Sequence, residues 1–210
     1  MASCIIFCAA QMAQLVQAIA KDDYIIAADG GLRHTQALGL VPNAVIGDFD
    51  SLGFVPVGAQ VFPVEKDDTD AMLAVRHALA LGYRSFVIYG GMDGPRVDHT
   101  LANFQMLRFL ADNGARGYLI GTQSIATAVK DATLRFPGSP EGLISVFCMG
   151  EEACGVTLSG LKYPLEDAVL TAARPLGVSN HFMQRAATVQ VKNGSLLLIY
   201  DRKNGLCKEG

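Results

Sequence analysis

Asp48, Asp50, Asp67, Asp68 and Asp70 fall within 23 residues, in the segments VIGDFDSLG and EKDDTDAML, each beside an apolar stretch that reads as buried scaffold. Carboxylates crowded together repel, and a fold that gathers several at one sheet edge usually does so around a divalent cation. A third segment, GGMDGPRVDHTLAN from Gly90 to Asn103, adds glycines, a cation at Arg96 and a further acid at Asp98. Acids, a fixed cation and glycine-rich turns suit a polyphosphate and its metal ions. The chemistry indicated is phosphoryl or pyrophosphoryl transfer.

The elements that must position these residues change character once along the chain. Up to about Gly121, short runs rich in Ile, Val and Phe (CIIFCA, YIIAA, AVIG, SFVIYG, GYLI) alternate with helical periods at 11–20, 32–39, 70–81 and 99–112. Such alternation is the signature of a parallel sheet covered by helices. From about Ala132 the helical period disappears, and LRFPG, LISVFCMG, GVTLSGL and AATVQVKNGSLLLIY read as strands separated by turns. Asn193-Gly194 is a hairpin signal, because a type I′ turn needs positive φ at both central residues. The expected fold is α/β: a parallel-sheet, Rossmann-like α/β domain over residues 1–125, then an all-β sandwich over 130–210, joined near 122–131.

In open α/β sheets ligands bind beyond the carboxyl ends of the strands. ADGG (28–31), GDFDS (47–51) and GGMDG (90–94) each directly follow an apolar run, so they should meet along one edge. Met72, Val75 and Leu79 set the apolar face of helix 70–81 and put Asp70 in its first turn. Leu101, Phe104, Leu107 and Ala111 do the same for helix 99–112 and put Asp98 at its N-cap. A single Asp at a helix N-terminus is ordinarily a cap worth about 1 kcal/mol, and Asp-Gly-Gly after a strand is ordinarily a turn. The weight lies in convergence, and in Asp48 and Asp50 at i and i+2, which repel unless something positive lies between them.

Composition narrows the classes. At 210 residues and 50% hydrophobic the chain buries a substantial core. A net charge of -3 with no basic cluster argues against a nucleic-acid partner. Residues 1–20 carry no charged side chain, but Gln11, Gln14 and Gln17 interrupt them and no basic stretch precedes them. They read as a buried strand and a helix rather than a membrane span. Five cysteines, an odd number without a CxxC pair, indicate neither a disulfide framework nor a zinc site, which fits a reducing cytoplasm.

VIGDFDSL, KDDTDAML, GGMDGPRVDHTLANFQML, GLKYPL and GVSN, in that order and over about Ala28 to Tyr200, resemble the thiamine pyrophosphokinase (thiamin diphosphokinase) family. The resemblance implies a homodimer of α/β and β-sandwich domains with the active site at the subunit interface. It also implies use of ATP and Mg²⁺ to convert thiamine to thiamine diphosphate with release of AMP. By the same resemblance Asp48, Asp50 and Asp70 hold Mg²⁺ against the triphosphate, with Asp29 and Asp67 accessory to that acidic site. Gly30 and Gly31 let the backbone approach the nucleotide, and the segment Gly91 to Asn103, with Arg96, Asp98 and His99, is the phosphate-and-substrate element. Ser179 and Asn180 contact thiamine. With Asp48, Asp50 and Asp70 as the other catalytic acids, Asp98 is the candidate to accept or orient the proton of the attacking hydroxyl.

The chain departs from the family pattern in places. IIFCAAQM has no glycine where the first strand of family members generally ends in glycines, and Asn43 replaces a frequent Asp. Pro95, which donates no N–H, stands where a second glycine commonly precedes the Arg. There is no Trp, so stacking on thiamine falls to Tyr163 or Phe182. Two other functions match parts of the pattern. GDFDS also resembles the motif of phosphatases that form a phospho-aspartate, with Asp48 attacking and Asp50 as acid. The alternative to both enzymes is a non-catalytic thiamine or nucleotide sensor on the same fold.

Overall fold

A computed structural model describes residues 2–50, 52–65 and 67–210. The chain divides into two compact units: residues 1–106 with 119–122, and residues 107–118 with 123–210.

The first unit begins with β1 (Cys4–Phe7), β2 (Tyr24–Ala28), a 3₁₀ turn over Asp29–Gly31, and α1 (Leu32–Ala37). It continues with β3 (Ala44–Gly47), β4 (Gln60–Val61), α2 (Asp70–Ala80), β5 (Ser85–Tyr89) and the start of α3 (Val97–Asp112). The five strands are parallel in the order β5-β1-β2-β3-β4. The apolar runs of β1, β2 and β5 are buried at nearly every position, as strands covered on both faces require, whereas β4 at the edge is exposed. Chain direction across the sheet reverses at β1, which lies between β2 and β5; beyond the carboxyl ends of such a pair is where open sheets place ligands.

Helical period misleads over 11–20, which is not helical. Two of its N–H groups are held by side chains outside it: that of Ala20 by the Asp23 carboxylate, which also accepts from the Ser3 N–H, and that of Val16 by the Tyr89 hydroxyl. Tertiary partners override a weak local preference. The two long helices form, with different faces inward. In α2 the buried residues are Ala71, Ala74, Val75 and Ala78 rather than a Met72/Leu79 stripe. In α3, Asn103, Met106, Leu107 and Leu110 are buried while Leu101 is exposed. Because α3 starts at Val97, Asp98 lies in its first turn and not at its N-cap.

In the second unit β6 (Arg116–Ile120) contributes its first three residues, and β7 (Ser124–Lys130) fills most of the expected 122–131 junction with strand. Then follow β8 (Thr133–Phe136), β9 (Leu143–Cys148), β10 (Glu152–Ser159), β11 (Leu165–Thr171), β12 (Gly177–His181), β13 (Ala187–Gln190), β14 (Ser195–Asp201) and β15 (Lys208–Glu209). They pair antiparallel as β12-β9-β14-β7 and as β11-β10-β13-β8-β15. Phe136 from one sheet meets Tyr200 from the other edge-on at 4.9 Å and Phe182 at 5.0 Å, an aromatic core between two β layers.

Asn193-Gly194 does not close a hairpin. β13 and β14 belong to different sheets, and the pair carries the chain from one to the other. Of the two residues Gly194 takes positive φ (111°), and its N–H is held by the Asp131 carboxylate at 2.7 Å.

Candidate active site

Ala28 of β2 is in register with Ile46 of β3, so the residues that leave these strands emerge side by side. Asp29 follows Ala28 with φ 46°, and a Cβ on Gly47 would lie 3.0 Å from the Asp29 Cβ. Glycine at 47 thus lets Asp29 lie against the end of β3. Next come Asp48, Phe49 and Asp50. Phe49 is buried with φ 62°, a conformation unusual for a bulky side chain. Its ring anchors the turn in the core, and the flanking carboxylates stand free of it. The Asp48 carboxylate also accepts from the Asp50 N–H at 3.2 Å.

One carboxylate oxygen from each of Asp29, Asp48 and Asp50 lies within 4.8 Å of the others. Asp29 is 8% exposed, Asp48 half-buried and Asp50 exposed, so the group runs from the interior to the surface. An oxygen-only cluster of this charge fits a hard divalent cation such as Mg²⁺.

The three acids open on a cleft of about 600 Å³. Asp67, Asp68, Thr69 and Asp70 line it from the start of α2. Thr69 caps that helix, its hydroxyl accepting from the Met72 N–H at 3.2 Å, and Asp70 follows in the first turn beside the positive helix end. Asp68 pairs with Arg76 at 2.7 Å. Gly91, Arg96 and His99 line the cleft from the segment after β5 and the start of α3. Asn103, buried one turn further on, donates to the Gly91 carbonyl at 2.8 Å. Asp98 joins this group through Arg96, whose guanidinium donates to it at 2.6 Å and 3.3 Å. That pair holds the Asp98 carboxyl below its ordinary value and raises Arg96.

The structure therefore gathers Asp29, Asp48, Asp50, Asp70, Gly91, Arg96 and His99 on one cleft. Asp70 is not part of the three-carboxylate group; Asp29 is. Gly30 and Gly31 are buried within the 3₁₀ turn, and the space of a Cβ at Gly31 is filled by the Phe7 carbonyl at 1.8 Å, so the close backbone approach there is to β1. Residues that sequence reasoning passed over also line the cleft: Cys8, Ala9 and Ala10 after β1. Cys8 and Ala10 donate their N–H groups to the carbonyls of Tyr89 and Gly90, which ties the glycine-free first loop to the loop after β5. Burial, aided by the charge of Asp70, pushes the Cys8 thiol up to about 12.

Ser179 and Asn180 belong to the second unit, on β12. Ser179 is exposed at φ 58°, inside a register shift of β12 against β9. Asn180 is 3% exposed and shapes the preceding motif: its amide accepts from the Tyr163 N–H at 2.9 Å and donates to the Tyr163 carbonyl at 2.7 Å. Tyr163 itself is 56% exposed, whereas Phe182 is buried against Phe136 and is core.

Comparison with known proteins assigns both parts of the chain to one family. Residues 15–119 match the family model for the thiamin pyrophosphokinase catalytic domain, and residues 131–196 that for the thiamin pyrophosphokinase vitamin B1 binding domain. The chain belongs to the thiamin pyrophosphokinase family. It is 29% identical over 177 residues to thiamine pyrophosphokinase of Bacillus subtilis (strain 168), covering 77% of this chain and 79% of that protein. The crystal structure of thiamine pyrophosphokinase from Bacillus subtilis superposes with a TM-score of 0.82 at 25% identity, over 95% of this chain and 99% of the other. The yeast thiamin pyrophosphokinase structure shares the fold, with a TM-score of 0.69 at 15% identity over 98% of this chain and 88% of the other.

Proposed function

We propose that the protein is a thiamine diphosphokinase, transferring the pyrophosphoryl group of ATP to the primary hydroxyl of thiamine to give thiamine diphosphate and AMP. The observation that carries this reading, beyond family membership, is the three-carboxylate group of Asp29, Asp48 and Asp50 on a cleft that Arg96 also lines. In the reaction the hydroxyl oxygen bonds to the β-phosphorus as the bond from that phosphorus to the bridging α,β-oxygen breaks, and AMP leaves with the electron pair. Asp98 orients the hydroxyl and accepts its proton. Arg96 steadies the charged phosphoryl oxygens, and positioning with charge neutralisation supplies most of the acceleration. A Mg²⁺ held by Asp29, Asp48 and Asp50 would neutralise triphosphate charge. Asp70, at the N-terminus of α2, is a further ligand or water partner on the same wall. Ser179, next in the chain to the Asn180 that holds Tyr163, contacts thiamine.

The protein acts as a homodimer in the cytoplasm on this reading. All five cysteines are free, and no helix among the described residues is long and apolar enough to cross a membrane. The phosphatase and sensor readings have no support comparable to two matched family domains. AMP release with Mg·ATP, with and without thiamine, tests the proposal, with Asp50→Ala as control. Thiamine-dependent AMP and thiamine diphosphate, lost in the variant, are expected; phosphate release without thiamine would sink the kinase reading.

A further inference from the structure

We infer that Asp93 is a positioning residue: through Thr122 it sets the loop that carries Arg96, and with it the point from which that guanidinium meets a phosphate. The inference rests on the phosphate role given to Arg96 above.

Asp93 Oδ2 accepts two hydrogen bonds from one residue, the Thr122 N–H at 2.5 Å and the Thr122 Oγ1 hydroxyl at 3.0 Å. The Asp93 backbone sits at φ 62°, in the left-handed region that Asp and Asn tolerate better than most side chains. The other side of the loop is closed by backbone packing. Gly90, at φ 68°, lies so near β1 that a Cβ there would be 2.3 Å from the Cys8 carbonyl oxygen, and its own carbonyl accepts from the Ala10 N–H at 3.0 Å. A Cβ on Gly94 would be 3.0 Å from that of Ala10, and Asn103 holds the Gly91 carbonyl from α3. Segment Gly90–Gly94 is thus held on the β1 side and the α3 side by packing and backbone bonds, and toward Thr122 by the Asp93 carboxylate.

Pro95, with its fixed φ, links this segment to Arg96, and α3 starts one residue later. The course of the chain into Arg96 is therefore determined by where Gly94 is held. The Asp93 side chain is exposed. Hydrogen bonds made in water contribute little to stability, so the consequence of this clamp is geometric. Small displacements of a group that must oppose a transferring phosphoryl are expensive in rate.

Asp93→Gly separates the effects, since glycine keeps positive φ accessible and removes the acceptor; Asp93→Asn keeps both. Thiamine-dependent AMP release by Asp93→Gly is expected to lose about tenfold in kcat/KM for Mg·ATP, by analogy with displaced catalytic groups, with Tm unchanged. Asp93→Asn should remain within about twofold of the parent, because its Oδ1 can accept the same two bonds. Thr122→Val, which deletes the hydroxyl from the opposite side, should give a partial loss. In an Arg96→Ala background, Asp93→Gly should add nothing. Parental kinetics for both Asp93→Gly and Thr122→Val, or a full additional loss in the Arg96→Ala background, would overturn the inference. An Arg96→Ala protein with parental activity would instead remove the phosphate role of Arg96, so the two failures are distinguishable.

Discussion

Arg96 and Asp98 stand two residues apart and share an ion pair through two nitrogens, Nη2 to Oδ2 at 2.6 Å and Nε to Oδ1 at 3.3 Å. Both side chains are exposed, so the pair adds little to stability. Its effect is on titration. The hydrogen bond from Arg96 is the largest cause of the lowered Asp98 pKa, and the guanidinium charge acts in the same direction. Arg96 favours the ionised carboxylate, so removing it raises the Asp98 pKa. The acid limb of the kcat profile should lie below the ordinary carboxylate range in the parent and move to higher pH in Arg96→Gln. Asp98→Asn should lower kcat about a hundredfold, in the range of lost general acid–base catalysis, with little change in ATP affinity. An unchanged kcat would take Asp98 out of proton handling.

The carboxylate group predicts metal binding that needs no substrate. Mn²⁺ titrated into the protein and followed by electron paramagnetic resonance should report a site that weakens at least about tenfold in Asp29→Asn, as for the loss of one charged ligand or its close support. Asp50→Ala should show a comparable loss. Full Mn²⁺ affinity in Asp29→Asn would limit the ligand set to the acids of the DFD turn.

Phe49 couples the site to the core. Phe49→Ala should cost about 3 kcal/mol, the lower range for deleting a buried aromatic ring, as measured by urea unfolding. Because the ring holds the turn between Asp48 and Asp50, Mn²⁺ affinity should fall in the same variant even where it is fully folded. Retained affinity would show that the turn holds its shape without the ring.

Thiol chemistry should divide the cysteines by burial. Cys4, Cys8 and Cys207 are buried with thiols pushed upward mainly by desolvation, Cys8 to about 12, whereas Cys148 and Cys154 are part-exposed. Maleimide at pH 8 should label Cys148 and Cys154 first, and label the other three only on unfolding. Asp70→Asn removes a charge that raises the Cys8 pKa, so Cys8 should become somewhat more acidic without becoming reactive at that pH. Rapid Cys8 labelling in the native parent would contradict its burial.

Asn180→Ala removes an amide bonded to both backbone groups of Tyr163. It should destabilise the protein by about 1–3 kcal/mol through the buried partners left without it, and raise KM for thiamine more than KM for ATP. Ser179→Ala should raise KM for thiamine without the stability loss. Equal effects of Asn180→Ala on both substrates would assign it a structural role alone.

Legibility in the sequence followed the length of the signal. The buried strands of the first unit and two helices were readable, at 70–81 against the observed Asp70–Ala80 and at 99–112 against the observed Val97–Asp112, because long runs and periods leave few alternatives. The inward faces were harder: α2 turns Ala71, Ala74 and Ala78 inward, whereas hydrophobic weight points to Met72 and Leu79. Asn193-Gly194 misled because turn chemistry fixes a local bend and not which sheet receives the next strand. The sequence brings Asp29 to the same sheet edge as Asp48, but that it lies in one three-carboxylate group with Asp48 and Asp50, which Asp70 does not join, follows from the register of Ala28 with Ile46, a relation between strands that local pattern does not contain. The irregular 11–20 segment was beyond local reading for the same reason, its side-chain partners being Asp23 and Tyr89. Strands over 165–171 and 177–181 were unread because their burial follows no clean alternation.

The first loop has a consequence for how this chain recognises an anion. Cys8 and Ala10 already donate their N–H groups to Tyr89 and Gly90, and Pro95 has none to offer. Two backbone donors beside the strand-order reversal are thus engaged within the protein, and position 95 supplies none. On the function proposed above, anion recognition would then rest less on oriented amide dipoles, which bulk electrolyte screens weakly, and more on the full charge of Arg96 and of a cation held by the acids, which it screens strongly. Nucleotide affinity should therefore fall steeply with ionic strength, making this cleft an ion-exchange site more than a backbone cradle.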